Sequence, residues 1–129
     1  VLKTVRRSGF TVEDTSEEAV VVATESCDVC IVGAGLTGIN ALFVASRYLR
    51  PDQKVILLDR RERTGGMWVD VYPYVRLHQP HGMFTAGNIK WTLDRDRSYL
   101  ATKDEVLDHF EYCLDEIRRR VRVEERYGA

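Results

Sequence analysis

Cysteine is scarce in this chain, and neither sign of charge dominates it. Three cysteines in 129 residues are too few, and odd in number, for a disulfide framework. With no signal peptide opening the chain, that scarcity points to a reducing cytoplasm. Nineteen Lys and Arg against 20 Asp and Glu give a formal net charge of -1, so no global field draws the protein to nucleic acid or an anionic membrane. One run, Val29 to Ser46, has no charged residue and approaches the length of a membrane span. It contains Gly33, Gly35 and Gly38 beside Thr37 and Asn40, so it reads as a strand, a sharp turn and a helix start, and no transmembrane segment is expected. Around His78 and His81 no carboxylate or cysteine spacing supports a metal. The length fits one modest domain with a core of its own. Val1 in place of an initiator Met suggests a processed or excerpted chain.

The chain divides into four zones. Residues 1–25 mix charges and β-branched residues without a sustained period and read as an appendage, in which Ala19 to Ala23 is compatible with a short strand or with a tail over a sheet edge. Residues 26–129 read as the domain. Cys27 to Val32 is apolar apart from Asp28 and β-branched, as a strand buried on both faces of a parallel sheet should be. Leu36 to Leu49 has helical spacing at Ile39, Leu42, Phe43 and Ser46, and Pro51 follows as a stop. Lys54 to Leu58 is a second apolar run closed by Asp59, completing a βαβ unit.

A long connection, Arg60 to Leu100, precedes the clearest helix. Thr102 and Glu105 form a capping box, acidic residues crowd the first turns, and Arg118, Arg119 and Arg120 stand where the macrodipole favours cations. Val106, Phe110, Cys113 or Leu114, Ile117 and Val121 make its apolar stripe. Val121 to Val123 then begins a third strand. The expected fold is α/β: a Rossmann-like half domain with a three-stranded parallel sheet, flanking helices and a long insert after the second strand.

The chemistry concentrates at Gly33-Ala34-Gly35-Leu36-Thr37-Gly38, a GxGxxG between a predicted strand and a predicted helix. Gly33 permits the tight turn, Gly35 lets backbone approach a pyrophosphate, and Gly38 lets the helix pack closely on the strand. The helix start offers unpaired N–H groups and a positive dipole end to phosphates. About twenty residues beyond Gly38, Asp59 ends the second strand, where a carboxylate can accept hydrogen bonds from the hydroxyls of an adenosine ribose and would repel a 2′-phosphate. FAD and NAD remain as ligands. The residues after Asp59 favour FAD: Arg60-Arg61-Glu62-Arg63-Thr64-Gly65-Gly66-Met67-Trp68 places a second glycine pair and an aromatic just past the acid, where a simple NAD domain would pass straight into its next helix.

From Cys27 to Trp68 the chain resembles the FAD-binding start of the flavin-containing and Baeyer–Villiger monooxygenases, within the class of flavoproteins with two dinucleotide-binding domains. Tyr72-Pro73-Tyr74-Val75-Arg76 is similar to the YPGxR that follows GGxW in that group, although Tyr74 stands in place of glycine and His78 where an acid is common. The resemblance implies FAD held by the glycine loop, by Asp59 and Arg60, and by Gly65, Gly66, Met67 and Trp68. Arg76, His78 and Gln79 follow on the loop that heads toward the flavin in similar proteins. It also implies NADPH or NADH as reductant and a small-molecule substrate. No second GxGxxG and no fingerprint linking two dinucleotide domains is present, so the segment is expected to bind and orient while the flavin does the chemistry. Alone it is expected to be inactive, with an open sheet edge that pairs with a second copy or with a missing C-terminal portion.

Other features read as structural. Cys27 and Cys30 match CxxC, but in an extended strand residues three apart lie about 10 Å apart, too far for a disulfide. Cys113 reads as core, and Trp68 and Trp91 as packing elements or flavin shields. Two functions remain open on the residues alone: the FAD site of an NAD(P)H-dependent oxidoreductase, or a non-catalytic Rossmann module that senses NAD or FAD.

Overall fold

A computed structural model of the chain describes residues 24–129 together with the backbone of 3–7, 10–11 and 23. At the N-terminal side β1 (Lys3–Arg7) pairs antiparallel with β2 (Phe10–Thr11) and parallel with β3 (Ala23–Glu25). Of the expected strand Ala19 to Ala23, all but Ala23 lies outside the described residues.

The second sheet carries the cleft. Its strands are β4 (Val29–Val32), β5 (Lys54–Leu58) and β6 (Arg122–Arg126), in the order β4-β5-β6 and all parallel. Val29 sits opposite Val55, and Val55 opposite Val123. Helix α1 (Leu36–Ser46) returns the chain from β4 to β5, and α3 (Lys103–Arg118) leads into β6. This is the strand order of one half of a doubly wound sheet. Val55 and Leu57 on β5 join the main core, whereas Ile56 between them, 1% exposed, is buried outside that cluster, as alternation along a strand requires.

The elements form where local chemistry predicts them, with shifted ends. Helix α1 stops three residues short of Leu49 because the chain tightens: Ser46 Oγ donates to Phe43 O at 2.6 Å, and Arg47 N and Tyr48 N bond three residues back. Helix α3 starts on the expected box, with Glu105 N–H donating to Thr102 Oγ1 and Thr102 N–H to Glu105 Oε2. Val106, Phe110, Cys113, Leu114 and Ile117 are buried as the stripe predicts, and Leu107 and His109 join them.

The connection between β5 and α3 is built into the core. It contains α2 (Met67–Asp70) and a 3-10 turn at His81–Met83, and it buries Leu77, Ala86 and Ala101 between the helices. Lys103 Nζ donates to Val69 O and Val71 O at 3.0 and 2.7 Å, tying the end of α2 to the start of α3. The backbone from Val75 to Leu77 runs antiparallel to Ala101–Lys103, with Leu77 N bonded to Ala101 O and Lys103 N to Val75 O. Cys27 lies outside β4, just before the bend at Asp28, so the extended-strand separation does not apply. None of the three cysteines is joined in a disulfide. Burial, then the neighbouring Cys27 thiol, raise the Cys30 pKa above its ordinary value.

Candidate functional site

The cleft opens where β4 gives way to α1. Gly33 continues the ladder one step, its N–H bonded to Leu58 O at 2.7 Å, and turns the chain at φ +104°. Gly38 then lies so close beneath that turn that a Cβ there would fall 1.7 Å from Gly33 O. The helix can begin at this distance from the strand only because position 38 has no side chain. Gly35 is the N-cap of α1, and no side chain caps it; no acidic residue occupies the first turn. The first N–H groups of α1 are therefore left for another acceptor, at the positive end of the dipole.

The second glycine pair faces the first. Gly66, at φ +58°, packs its backbone on Gly35, and a Cβ on Gly66 would stand 2.8 Å from Gly35 Cα. The two loops are tied through Ala34, whose C=O accepts from Gly65 N–H at 2.8 Å and from Thr64 Oγ1 at 2.9 Å. On its other side Ala34 N–H donates to Asp59 Oδ2 at 2.7 Å, and Asp59 Oδ1 accepts from Arg61 N–H at 2.8 Å.

A cavity of about 600 Å³ lies above these loops, large enough for much of a dinucleotide. Gly33, Gly35, Leu36, Thr37, Gly38, Gly65, Met67, Trp68, Arg76, His78 and Gln79, all singled out from sequence, line it. Ala34, Asp59, Arg60 and Gly66 do not. Ala34 is fully buried under the loop, Gly66 backs onto Gly35, Arg60 is exposed beside the cleft, and Asp59, 6% exposed, turns its carboxylate inward to the loop amide. The lining includes the guanidinium of Arg76 and no carboxylate. Arg76 is held at the rim by Leu100 O at 3.1 Å and by the Tyr99 ring, 5.9 Å from its guanidinium.

Sequence reasoning missed several lining residues: Ile31, Val32, Ala41, Val75, Leu77 and Phe84. Phe84 meets the Trp68 ring edge-on at 5.9 Å and stacks on Phe110 at 5.7 Å. Nothing local marks Phe84, because its place depends on a buried polar cluster behind it. Thr85 has one hydroxyl proton and gives it to Ile89 O at 2.6 Å, so His109 Nε2 must carry the proton that joins it to Thr85 Oγ1 at 2.7 Å. Cys113 Sγ lies 3.4 Å from the same nitrogen, and Trp91 stacks on the imidazole at 4.0 Å while donating its Nε1–H to Phe84 O. Burial, then the charge of nearby His81, lowers the His109 pKa from 6.5 to about 4. The i,i+4 spacing of His109 and Cys113 on an apolar helix face was the available signal. His81 and Trp91 belong to this core and do not line the cleft, His81 Nδ1 lying 3.0 Å from Tyr99 O.

A strand, a glycine turn and a helix around one cleft at the carboxyl ends of parallel strands define a class: a Rossmann-like mononucleotide-binding half of a doubly wound sheet. Within it the chain resembles the flavin monooxygenases over about half of its length. Over 61 residues, 46% of this chain, it is 46% identical to MymA of Mycobacterium tuberculosis, provisionally named an FAD-containing monooxygenase. Over 64 residues, 50% of this chain, it is 38% identical to the FAD-containing monooxygenase EthA of Mycolicibacterium smegmatis. The matched stretches are 12% of MymA and 13% of EthA, so the chain spans a small part of these relatives. The solved flavin-containing monooxygenase of Stenotrophomonas maltophilia shares the fold at a TM-score of 0.61 and 21% identity, over 75% of this chain and 28% of that one. OTEMO in complex with FAD and NADP aligns at a TM-score of 0.55 and 26% identity, over 75% of this chain and 18% of that one. No family model matches the chain. Among the described residues, no helix is long and apolar enough to cross a membrane and no group of side chains is placed to hold a metal.

Proposed function

We propose that residues 26–129, with 1–25 as an appendage, are the segment of an NAD(P)H-dependent flavoprotein monooxygenase that holds the ADP half of FAD. The observation that carries this reading is the doubled glycine cradle: Gly35 against Gly66 under a cavity into which the uncapped start of α1 opens. The residues fit the group. A pyrophosphate needs bare backbone N–H groups at a helix start and no carboxylate on the wall, and both conditions are met. On this reading the flavin end lies toward Met67, Trp68, Arg76, His78 and Gln79, which line the cavity, and the adenosine end toward Asp59 and Arg60, which follow β5 outside that lining. Bound flavin supplies hydride acceptance and oxygen chemistry; these residues bind it, orient it and exclude water.

The same reading makes the full protein a cytoplasmic enzyme that uses NADPH or NADH and acts on a small molecule. Three cysteines without a disulfide suit a reducing compartment, and a net charge of -1 gives no attraction to nucleic acid. Among the described strands β4 has a partner on one side only, so pairing with a second copy or with another strand of a longer polypeptide belongs to the proposal. Titration of the chain with FAD, followed by flavin absorbance and fluorescence, tests it. Saturable binding lost in Gly35→Val is expected, while tighter binding of NAD than of FAD would overturn it.

A further inference from the structure

We propose that Thr85 is a positioning residue: by tying one short segment to two helices, it holds the Phe84 ring at the end of the cavity that takes the flavin half of the dinucleotide. The inference rests on the nucleotide-site reading above and deepens it. Phe84 lines the cavity, its ring edge-on to Trp68 at 5.9 Å and stacked on Phe110 at 5.7 Å. It follows the 3-10 turn His81–Met83 and stands in no helix or strand of its own. The backbone beside it must therefore be held by other groups.

Those groups come from both sides. Phe84 O accepts from Trp91 Nε1–H at 3.0 Å. On the α1 side, Asn40 Nδ2 donates to Thr85 O at 3.3 Å while Asn40 Oδ1 accepts from Gly87 N–H at 2.9 Å. On the α3 side, Thr85 Oγ1 accepts from His109 Nε2–H at 2.7 Å and gives its own proton to Ile89 O at 2.6 Å. Thr85 thus bonds to α1 through its carbonyl and to α3 through its hydroxyl. Neither Thr85, Asn40 nor His109 lines the cavity, so they reach a ligand only through the segment they hold. Removing the hydroxyl strips its acceptor from the N–H of His109, a residue 4% exposed, and the segment must shift to supply another. A wall fixed before the ligand arrives loses little conformational freedom on binding, so the tie favours affinity without touching the ligand. The glycine loops receive the pyrophosphate at the start of α1, whereas Phe84 packs on Trp68. The tie therefore serves the flavin half and not the ADP half.

FAD and ADP separate this role from a merely structural one, because ADP lacks the ring that meets Phe84. The chain, Thr85→Val, Thr85→Ser, Phe84→Leu and the Phe84→Leu/Thr85→Val double variant are titrated calorimetrically with both. The parent is expected to bind FAD more tightly than ADP. Thr85→Val should weaken FAD on the order of tenfold and leave ADP within about twofold. Thr85→Ser, which keeps the hydroxyl, should match the parent. Phe84→Leu should reproduce the loss for FAD, and adding Thr85→Val to it should weaken FAD no further, as two changes acting through one contact do. Should Thr85→Val fail to fold, Asn40→Ala loosens the same segment from α1 and takes its place, with the same expected pattern. Equal losses for FAD and ADP, an additive double variant, or unchanged FAD binding would each overturn the proposal. A parent that binds FAD no more tightly than ADP overturns it too, since the flavin half then gains nothing at this wall. If the parent binds neither, the nucleotide-site reading has failed and the proposal falls with it; every other outcome leaves that reading standing.

Discussion

Replacing Gly38 with alanine should unfold the site, while the same change at Gly35 should leave the fold standing and damage only binding. An alanine Cβ at position 38 would lie 1.7 Å from Gly33 O and 2.8 Å from Gly33 C, both backbone atoms at the turn that follows β4. Contacts of real Cβ atoms do not fall below 3.0 Å, so the start of α1 would have to retreat by more than an ångström. It cannot retreat alone, because Ile39, Leu42 and Phe43 on the same helix are packed in the core. Overpacking that backbone cannot relieve costs about 3 kcal/mol, out of a total stability of about 5–15 kcal/mol. For a domain of this size that lowers Tm by on the order of 15 °C. At Gly35 the backbone is extended, with φ -84°, and an added Cβ meets Gly66 Cα at 3.3 Å, a contact relieved by a few tenths of an ångström. Thermal melts by circular dichroism should therefore show a large drop for Gly38→Ala and a small one for Gly35→Ala, with FAD affinity reduced in the latter. An unchanged melting temperature for Gly38→Ala would refute the packing argument.

Acid should destabilise the protein through His109. Its folded-state pKa is lowered from 6.5 to about 4 by burial first and by His81 second, so the unfolded chain takes up a proton that the native state refuses. The stabilisation is complete above pH 6.5 and is lost as pH falls toward 4, amounting to on the order of 3 kcal/mol. Urea melts across that range should give a shallower pH slope for His109→Gln than for the parent, and parallel slopes would count against a buried neutral imidazole. Thr102→Ala removes the capping hydroxyl of α3, at a cost of about 1 kcal/mol readable as a shift in urea midpoint. Lys103→Met strips Val69 O and Val71 O of their shared donor; a cost of about 1–2 kcal/mol with faster amide exchange in α2 is expected, and unaltered exchange would show that the ammonium does not hold that helix.

The parts fixed by short-range chemistry were legible in the residues. Gly33-Ala34-Gly35-Leu36-Thr37-Gly38 between an apolar run and a 3.6-residue period specifies strand, turn and helix wherever it folds, because φ, sterics and period act over a few residues. Thr102 and Glu105 specify the start of α3 for the same reason. What the tertiary structure alone decided is where side chains point and which loops meet. Asp59 lies at the expected end of β5, yet its carboxylate turns to Ala34 N–H, because the Thr64–Gly65 loop carries Ala34 within reach and buries it. The connection after β5 has too little periodicity to be read, and its path is set by burying Leu77, Ala86 and Ala101 and by antiparallel pairing with Ala101–Lys103. That path puts Phe84 on the cleft, takes His81 into the core and encloses His109 with Thr85 and Cys113. Such contacts join residues far apart in the chain, and only the balance of burial and hydrogen bonding across the whole domain selects them.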